Sequence, residues 1–341
     1  MASLFAQDSF LIASARPVYR TVRGGYRQLR ALKNRLCNLV DTPLIVLIYH
    51  RVIELPNDPE MIAVAPGNFR RQLDYLKRHY RIVRFEEDWS GIRERAVAIT
   101  FDDGYADNLL EALPVIEALQ VPATFFVSTG NLASGNFFWW HRLEALLLGE
   151  GDFPPRFHLQ DPNFGRTWKS ASPPDRQRFY AELCMLMRRV GPGRQADWLA
   201  QLENWVGRRA EVDSRHRLLT VAELERLAAS PMATIGAHTV SHAALAALPA
   251  EQQRQEISTS KQQLEEYLGR PVTTFSYPFG RRCEYNRTSV ELCRAAGFSK
   301  VAANFPGQVH KWSDPLQLPR HLVRNWDEAT FAAELKEFWT R

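Results

Sequence analysis

Three short motifs, spread between residues 100 and 280, carry the side chains that could do chemistry. They read Thr-Phe-Asp-Asp-Gly at residues 100–104, His-Thr-Val-Ser-His at 238–242 and Phe-Ser-Tyr-Pro-Phe-Gly at 275–280. Two histidines and one carboxylate form a metal-ligand set that leaves a position for water. Because adjacent side chains after a strand point in different directions, one carboxylate can bind a metal while its neighbour faces a substrate. Together the motifs predict a mononuclear metallohydrolase.

Each motif by itself also has an ordinary structural interpretation. An Asp-Asp-Gly sequence after a strand is a common turn, and two histidines four residues apart are commonly surface or helix-capping residues. A Tyr-Pro-Phe-Gly sequence is most often a rigid turn. The occurrence of all three in one chain favours the catalytic interpretation.

The motifs resemble, in the same order, those of the polysaccharide deacetylases, also known as carbohydrate esterase family 4 or NodB homology domains. The resemblance covers about residues 43–325. Residues 47–52 resemble the opening strand, and residues 318–320 the closing strand, of the branch that acts on bacterial exopolysaccharide or lipid-linked sugars. The resemblance implies an irregular (β/α)7 barrel of the TIM type.

The resemblance also implies a role for each motif residue. Asp103, His238 and His242 are expected to hold a divalent metal, usually Zn²⁺, with Co²⁺, Ni²⁺ and Mn²⁺ as alternatives. Asp102 is expected to be the general base, and the backbone N–H of Phe279 to stabilise the oxyanion. The chemistry agrees, because a bound metal lowers the pKa of water from about 16 to about 7 and a nearby carboxylate can then accept a proton.

One departure from the family pattern concerns the orientation of the base. Many relatives carry an arginine at the start of the third motif, where this chain has Ser276. Arg320, at the end of the predicted closing strand, is the candidate to orient Asp102 instead. The alternative is that Arg320 is a solvated charge at a strand end.

A second departure concerns the general acid. The late Leu-x-His motif of the family has no clear copy, which leaves His321, His310 and His50 as candidates, with His321 preferred. His50 is expected beside the metal, supporting its ligands. Tyr277 and His50 are also predicted to border the substrate.

Strands and helices alternate over most of the chain, which is typical of a parallel α/β barrel with its site at the C-terminal strand ends. Strands are predicted at residues 44–49, 81–85, 96–101, 123–127, 233–237, 273–277, 300–303 and 318–323. Helices are predicted at residues 68–79, 108–119, 220–229, 251–268 and 288–296. The predicted organisation is a basic N-terminal segment (1–42), the barrel (43–330) and a C-terminal helix (331–341).

The alternation is interrupted by a predicted helical insertion at residues 131–219, with helices at 142–148, 174–190 and 194–206. This insertion holds five of the nine tryptophans. Trp139 and Trp140 follow a barrel strand and are predicted to border the cleft, with packing against the barrel as the alternative. Trp198 and Trp205, at helical spacing, are predicted to pack the helices of the insertion against the barrel, with a platform for sugar rings as the alternative.

The net charge is concentrated at the N-terminus. Residues 1–42 hold seven of the 43 basic side chains and two of the 38 acidic ones, and so carry the whole formal charge of +5. Residues 16–40 form an amphipathic pattern with arginines on one face, which suits an anionic membrane surface at about 1 kcal/mol per basic residue. The alternative is a helix packed on the barrel. Nucleic acid is not predicted as a partner, because the remaining chain is neutral.

The predicted location is the cytoplasm, peripheral at the inner face of the membrane. Residues 1–15 lack the features of a secretory signal, and four cysteines show neither metal-site nor disulfide spacing. The predicted function is metal-dependent removal of an N-acetyl group from an acetylamino sugar of a bacterial envelope glycan or exopolysaccharide, lipid-linked or nascent. The alternatives are a deformylase or other N-deacylase of a lipid-linked aminosugar, and a catalytically silent saccharide-binding protein.

Overall fold

The computed structural model describes residue 34 and residues 36–132, 135, 137–162 and 164–340. Most of the predicted basic segment, including all of its arginines and its lysine, lies outside these residues. Its last part is described, and residues 36–40 are helical. Within the described residues, no helix is both long enough and apolar enough to cross a membrane.

The chain alternates strands and helices in the predicted way. The strands are β1 (Leu44–Tyr49), β2 (Arg51–Val52), β3 (Ala63–Val64), β4 (Arg81–Val83), β5 (Ala96–Phe101), β6 (Ala123–Val127), β7 (Arg156–Asp161), β8 (Phe164–Lys169), β9 (Ala233–Ala237), β10 (Thr274–Ser276), β11 (Lys300–Ala302) and β12 (His321–Leu322). The helices are α1 (Pro66–His79), α2 (Leu113–Leu119), α3 (Trp139–Leu147), α4 (Pro173–Met187), α5 (Pro192–Val206), α6 (Val221–Ala229), α7 (Ala250–Leu268), α8 (Arg287–Ala295) and α9 (Glu328–Phe338).

The central sheet is parallel and curls into an irregular barrel, which confirms the predicted fold class. Its seven main strands follow the order β11-β10-β9-β6-β5-β1-β12, and β4 pairs with the first half of β5. A parallel bridge from Ala302 to Leu318 links the two ends of the sheet. Every residue of β1, β5 and β6 is buried, because helices cover the outer face while the barrel interior covers the other. That is why these strands read as continuous apolar runs.

The insertion differs from the sequence prediction in one respect. It contains an antiparallel hairpin, β7–β8, as well as the three predicted helices α3, α4 and α5. Phe157 and Leu159 alternate with exposed residues along β7, a period-2 pattern that marks a half-buried strand. The signal was therefore present in the sequence, but the surrounding helical patterns concealed it.

The hairpin and helices of the insertion share a separate hydrophobic core. Trp168 and Phe179 stack with centroids 4.8 Å apart, and Trp205 packs edge-on against Phe157 at 5.2 Å. Trp198 is 2% exposed and donates to Asp161 at 3.0 Å. Trp198 and Trp205 thus pack within the insertion, whereas their helical spacing led us to expect packing against the barrel.

The C-terminal helix α9 begins at Glu328, three residues earlier than the predicted segment. It packs against α1 on the outside of the barrel, where Phe331 meets Tyr75 edge-on at 6.1 Å. Trp339 stacks on Tyr80 at 5.4 Å. This helix therefore covers the barrel wall and lies away from the C-terminal strand ends.

Candidate active site

The three motifs meet at the C-terminal ends of β5, β9 and β10, on a backbone that is locally strained. Four non-glycine residues within them have positive φ: Asp103 at 80°, Thr239 at 64°, His242 at 57° and Phe279 at 58°. Such conformations cost about 1–3 kcal/mol each and persist where surrounding structure enforces them, which is typical of functional sites. Gly280 continues the strained turn, because an added Cβ would lie 2.6 Å from the backbone nitrogen of Asn304.

The predicted ligand atoms converge at a buried point. Asp103 Oδ1 lies 3.4 Å from His238 Nε2 and 3.1 Å from His242 Nε2, and all three residues are buried. Two ligands of a tetrahedral zinc ion, each about 2.0–2.2 Å from it, lie roughly 3.3–3.5 Å apart. Asp103 Oδ1 and His238 Nε2 are buried without a hydrogen-bond partner among the described residues. The donor set and its spacing fit a divalent metal.

Neighbouring groups fix the orientation of the two histidines. The Nδ1 atom of His238 lies 2.7 Å from the Ser276 carbonyl, so it carries the proton and leaves Nε2 as the acceptor nitrogen. The loop between the histidines is held by Glu256 of α7, which accepts the backbone N–H groups of Val240 and Ser241 at 2.9 Å each. Sequence reasoning missed Glu256, which no motif marks.

The carboxylate of Asp102 is held by Arg320 rather than by a motif arginine. Arg320 donates from NH1 to Oδ1 at 2.7 Å and from NH2 to Oδ2 at 2.6 Å. Ser276 also donates its hydroxyl to Asp102 at 3.1 Å. Arg320 is 1% exposed, so it is not a solvated strand-end charge. The structure thus brings Arg320 into contact with Asp102, the carboxylate that it was predicted to orient in place of the motif arginine.

Both aspartates are ionised at neutral pH. Burial alone raises the pKa of Asp102, but the charge of Arg320, with His238, outweighs it and the pKa lies below its ordinary value. Burial also raises the pKa of Asp103, but the electrostatic interaction with His242, with a further contribution from His238, places the pKa well below its ordinary value. An ionised Asp103 is what a metal ligand requires, and an ionised Asp102 is what a base requires.

The three candidate acids lie in different places. His50 lines the cavity beside the aspartates, and its Nδ1 has no hydrogen-bond partner within the described part of the chain. His321 does not line the cavity: its ring contacts the Gly307 carbonyl at 2.9 Å and stacks on Phe338 at 4.1 Å. His310 lies at the N-terminal end of β1, next to the bridge between Leu44 and Val309.

The position of His321 therefore corrects the preferred prediction for the acid. Successive residues of a strand face opposite sides, and on β12 it is Leu322 that lines the cavity. The His321 ring is not placed to protonate an amine there. Of the three candidates, only His50 lines the cavity.

The predicted substrate-contacting aromatics also separate into two groups. Phe279, Trp139 and Trp140 line the cavity, and Phe279 packs edge-on against His242 at 4.7 Å. Tyr277 instead points into the core, where its hydroxyl donates to Leu316 O at 3.1 Å. Tyr277 and Phe279 both follow the end of β10, and the chain turns at Phe279, whose φ is 58°. The structure therefore does not support the predicted contact of Tyr277 with substrate.

A match to a known family and a likeness to solved structures agree with this geometry. The family model described as polysaccharide deacetylase matches residues 91–150 and 200–301, and these two segments contain all three motifs. The chain belongs to the polysaccharide deacetylase family. The gap in the match, residues 151–199, falls inside the insertion that carries the β7–β8 hairpin. No curated protein matches the chain.

Several solved structures share the fold of this deacetylase. The Streptococcus pyogenes deacetylase PplD in complex with acetate is 16% identical, covers 86% of this chain and 98% of its own, and has a TM-score of 0.55. IcaB from Ammonifex degensii is 20% identical, with 88% and 98% covered and a TM-score of 0.52. A de-N-acetylase from Aggregatibacter actinomycetemcomitans is 16% identical, with 87% and 99% covered and a TM-score of 0.53.

The cavity of this deacetylase contains residues that no sequence motif indicated. The cavity volume is about 140 Å³. Besides the predicted residues, its walls include Glu60, Ile62, Arg188, Arg281, Asn304, Leu322 and Arg324. These lining residues come from the loop before β3, the end of α4, the loops after β10 and β11, and β12 with the loop that follows it. Only tertiary structure brings these segments together.

A second group of metal-type side chains lies between the barrel and the insertion. It consists of His141, Glu144 and His216. Tyr105 Oη lies 2.8 Å from His141 Nε2, and Arg51 donates to His216 Nδ1 at 2.8 Å. Burial lowers the pKa of His141 to about 3 and that of His216 to about 4, so both rings are neutral. The nitrogens that face Glu144 then carry the protons, which makes this a hydrogen-bonded network rather than a metal site.

This network holds one wall of the cavity. The Trp140 indole N–H is 3.1 Å from both Tyr105 Oη and His141 Nε2. The Trp140 ring stacks on Phe138 at 4.2 Å and meets His242 at 5.0 Å. Trp140 is therefore a fixed surface next to a predicted metal ligand.

Proposed function

We propose that this enzyme is a metal-dependent N-deacetylase of an acetylamino sugar in a bacterial envelope glycan or exopolysaccharide, lipid-linked or nascent. One observation supports this most directly: adjacent carboxylates are separated into two environments. Asp103 meets both histidines at 3.1 and 3.4 Å, while Asp102 is clamped by Arg320 at 2.6 and 2.7 Å. A ligand and a base are thus held side by side.

Asp103, His238 and His242 would hold the metal, with Zn²⁺ the first candidate and Co²⁺, Ni²⁺ or Mn²⁺ the alternatives. When bound, such an ion supplies Lewis-acid chemistry, polarising the acyl carbonyl and acidifying water. Asp102 accepts the proton from the attacking water, and Arg320 fixes the direction in which its oxygens point. Because the guanidinium contacts both oxygens, the carboxylate cannot rotate away from the reacting atoms.

The other roles follow from residues that line the cavity. The backbone N–H of Phe279, in its strained turn, is the proposed donor to the oxyanion. His50 is the proposed donor of a proton to the leaving amine, since it faces both aspartates. Trp139 has a buried indole N–H without a partner among described residues, and we assign it to a sugar hydroxyl. Trp140 supplies an apolar face for the sugar ring.

Names of structures with a similar fold support the reaction type. One is a de-N-acetylase, and another is a deacetylase in complex with acetate, the acid that N-acetyl hydrolysis releases. A decisive experiment is to strip the protein of metal, restore Zn²⁺, Co²⁺, Ni²⁺ or Mn²⁺ separately, and measure free amine from N-acetyl and N-formyl aminosugars. We expect metal-dependent amine release from the N-acetyl series. Faster release from the N-formyl series would favour a deformylase, and binding without any release would indicate a silent saccharide-binding protein.

The membrane location remains a proposal that rests on the charge of the N-terminal segment. At the start of the described chain, Asn34 and Cys37 line a groove that also contains Arg282. Arg281, the residue before Arg282 in the chain, lines the catalytic cavity. Leu36, Leu39 and Val40 are 58%, 83% and 70% exposed. The basic segment therefore connects to the body near the cavity, through a helix with exposed apolar side chains.

Neutralising the basic segment is expected to weaken membrane binding without affecting catalysis. The full-length variant has glutamine at five positions, Arg16, Arg20, Arg23, Arg27 and Arg30. Its affinity for anionic vesicles should fall by up to about 5 kcal/mol at low salt, and by less at high salt, because each charge contributes about 1 kcal/mol and salt screens it. Co-sedimentation at two salt concentrations measures this, with neutral vesicles as the control. Equal sedimentation of both proteins would leave the alternative, a helix packed on the barrel.

A further inference from the structure

Three arginines line the cavity of the proposed site, although nothing in the reaction so far uses them. Arg188 comes from the end of α4, Arg281 follows the third motif, and Arg324 follows β12. The carboxylates that line the same cavity are Asp102, Asp103 and Glu60. Since Arg320 neutralises Asp102 and a metal would neutralise Asp103, three guanidinium groups face one remaining lining carboxylate.

Arg188 lies near a predicted metal ligand. Its guanidinium lies over the Phe279 ring, 4.9 Å from the centroid, and the same ring packs edge-on against His242 at 4.7 Å. One aromatic ring thus separates Arg188 from a predicted metal ligand. Its Nε is buried and has no hydrogen-bond partner in the part of the chain that the structure describes. An unsatisfied buried donor of a cation is costly unless a ligand completes it.

Glu60 positions the arginines but does not complete their hydrogen bonds. Its carboxylate accepts from Arg188 NH2 at 2.6 Å and from the Tyr180 hydroxyl at 3.2 Å, so both oxygens are engaged. The backbone carbonyl of Glu60 accepts a hydrogen bond from Arg324 Nη1 at 3.1 Å. The same nitrogen also donates to the backbone carbonyl of Met61. A guanidinium has five N–H donors, so both side chains retain donors. Glu60 therefore fixes two arginines that can still bind another acceptor.

Behind Arg281, one further carboxylate contributes to the local charge. Glu284 is 9% exposed and accepts the Arg281 backbone N–H at 2.9 Å. It does not line the cavity, and burial raises its pKa in spite of Arg281 and Arg188 nearby. Asp58 also acts on Arg324 without lining the cavity. The three arginines are therefore matched in number by Glu60, Glu284 and Asp58, but of these carboxylates only Glu60 lines the cavity, so the positive charge is concentrated on its wall.

We infer that the substrate is an aminosugar bearing a phosphoryl group next to the acylated amine, and that Arg188 and Arg281, with Arg324, bind that group. The inference rests on the proposed function and narrows its substrate class. Guanidinium groups match phosphate oxygens in pairs of parallel hydrogen bonds. A phosphoryl group presents several oxygens in a tetrahedral arrangement, so it can contact arginines from different loops at once. Because only one ring separates Arg188 from His242, the phosphoryl group belongs on the carbon beside the amine-bearing one, the anomeric carbon.

Turnover of three matched probes tests this inference. They are N-acetylglucosamine 1-phosphate, the methyl glycoside of N-acetylglucosamine, which is neutral, and N-acetylmuramic acid, which carries a carboxylate. A charge-assisted hydrogen bond contributes about 1.5–3 kcal/mol, so kcat/KM for the phosphate should exceed that for the neutral glycoside by roughly 10- to 150-fold. Arg188→Gln should reduce this ratio towards one. Arg281→Gln should do the same, and because Arg281 is exposed this second substitution should disturb folding less. Arg189→Gln, an exposed neighbour that does not line the cavity, should keep the ratio.

A binding measurement separates failure of this inference from failure of the proposed function. Calorimetric titration of the full-length protein with glucosamine 1-phosphate and with methyl glucosaminide needs no turnover. Tighter binding of the phosphate, lost in Arg188→Gln and kept in Arg189→Gln, supports the inference even if no amine is released from any probe. Equal binding of the two sugars overturns it, as does faster turnover of the carboxylate probe than of the phosphate probe. Equal turnover of the neutral and phosphorylated probes overturns it while leaving the deacetylase function intact.

Discussion

Asp102→Asn is expected to retain stoichiometric metal and to lose turnover by about 10²–10⁴-fold, the range for a positioned general base. The substitution keeps the shape of the side chain but removes its ability to accept a proton. Asp103→Asn, His238→Ala and His242→Ala are instead expected to lose the metal, because each removes one of three converging ligand atoms at 3.1–3.4 Å from another. Elemental analysis of the four purified variants, together with amine release, measures both effects.

The same set of variants can contradict the assignment. Metal loss in Asp102→Asn with retention in Asp103→Asn would exchange the roles of the two carboxylates. Asp102→Asn also leaves the buried Arg320 without a counter-charge, so its folded fraction must be checked by thermal unfolding. Asp197→Asn, an exposed substitution on α5, is the matched control and should change neither metal content nor turnover.

Arg320→Met is expected to lower kcat and stability together while leaving the metal content nearly unchanged. The guanidinium holds both oxygens of Asp102 at 2.6 and 2.7 Å inside the barrel. Removing one partner of a buried pair costs about 3–5 kcal/mol, because the remaining charge is left uncompensated. The metal ligands lie on other residues, so elemental analysis should find the ion retained. A retained wild-type kcat would mean that Ser276 or water suffices to orient Asp102.

The pH dependence of Arg320→Met should change in a definite direction. In the wild-type protein the pKa of Asp102 is below its ordinary value because Arg320, with His238, outweighs burial. Its ionisation therefore stabilises the fold above the unfolded-state pKa, and this contribution is lost as the pH falls through the lower folded pKa. Without Arg320, burial dominates and the pKa rises, so the acidic limb of the kcat profile should move to higher pH. Arg320→Lys, which keeps the charge but not the paired hydrogen bonds, should restore part of this shift.

Much of the fold and the core of the site could be predicted from the sequence. The strands β1, β5, β6 and β9 have the predicted bounds, because a strand covered on both faces is apolar at nearly every position. The motif residues follow such strands directly. Since the C-terminal ends of parallel strands meet at one end of a barrel, Asp102, Asp103, His238 and His242 had to come close together.

Tertiary structure alone decided which other residues join them. Arg320 reaches Asp102 across 218 residues of chain, and the sequence offered this contact only as one of two interpretations. His321, the preferred candidate for the acid, lies outside the cavity, because the register of β12 turns Leu322 rather than His321 towards it.

The positions of Glu60, Arg188 and Arg281 were also beyond sequence reasoning. They lie on a loop, on an insertion and after a strained turn, and no local periodicity marks them. A local pattern determines which face of a strand or helix is buried. Which distant segments share a cavity depends on how the barrel curls and where the insertion packs, and those long-range contacts leave no periodic signal in the chain.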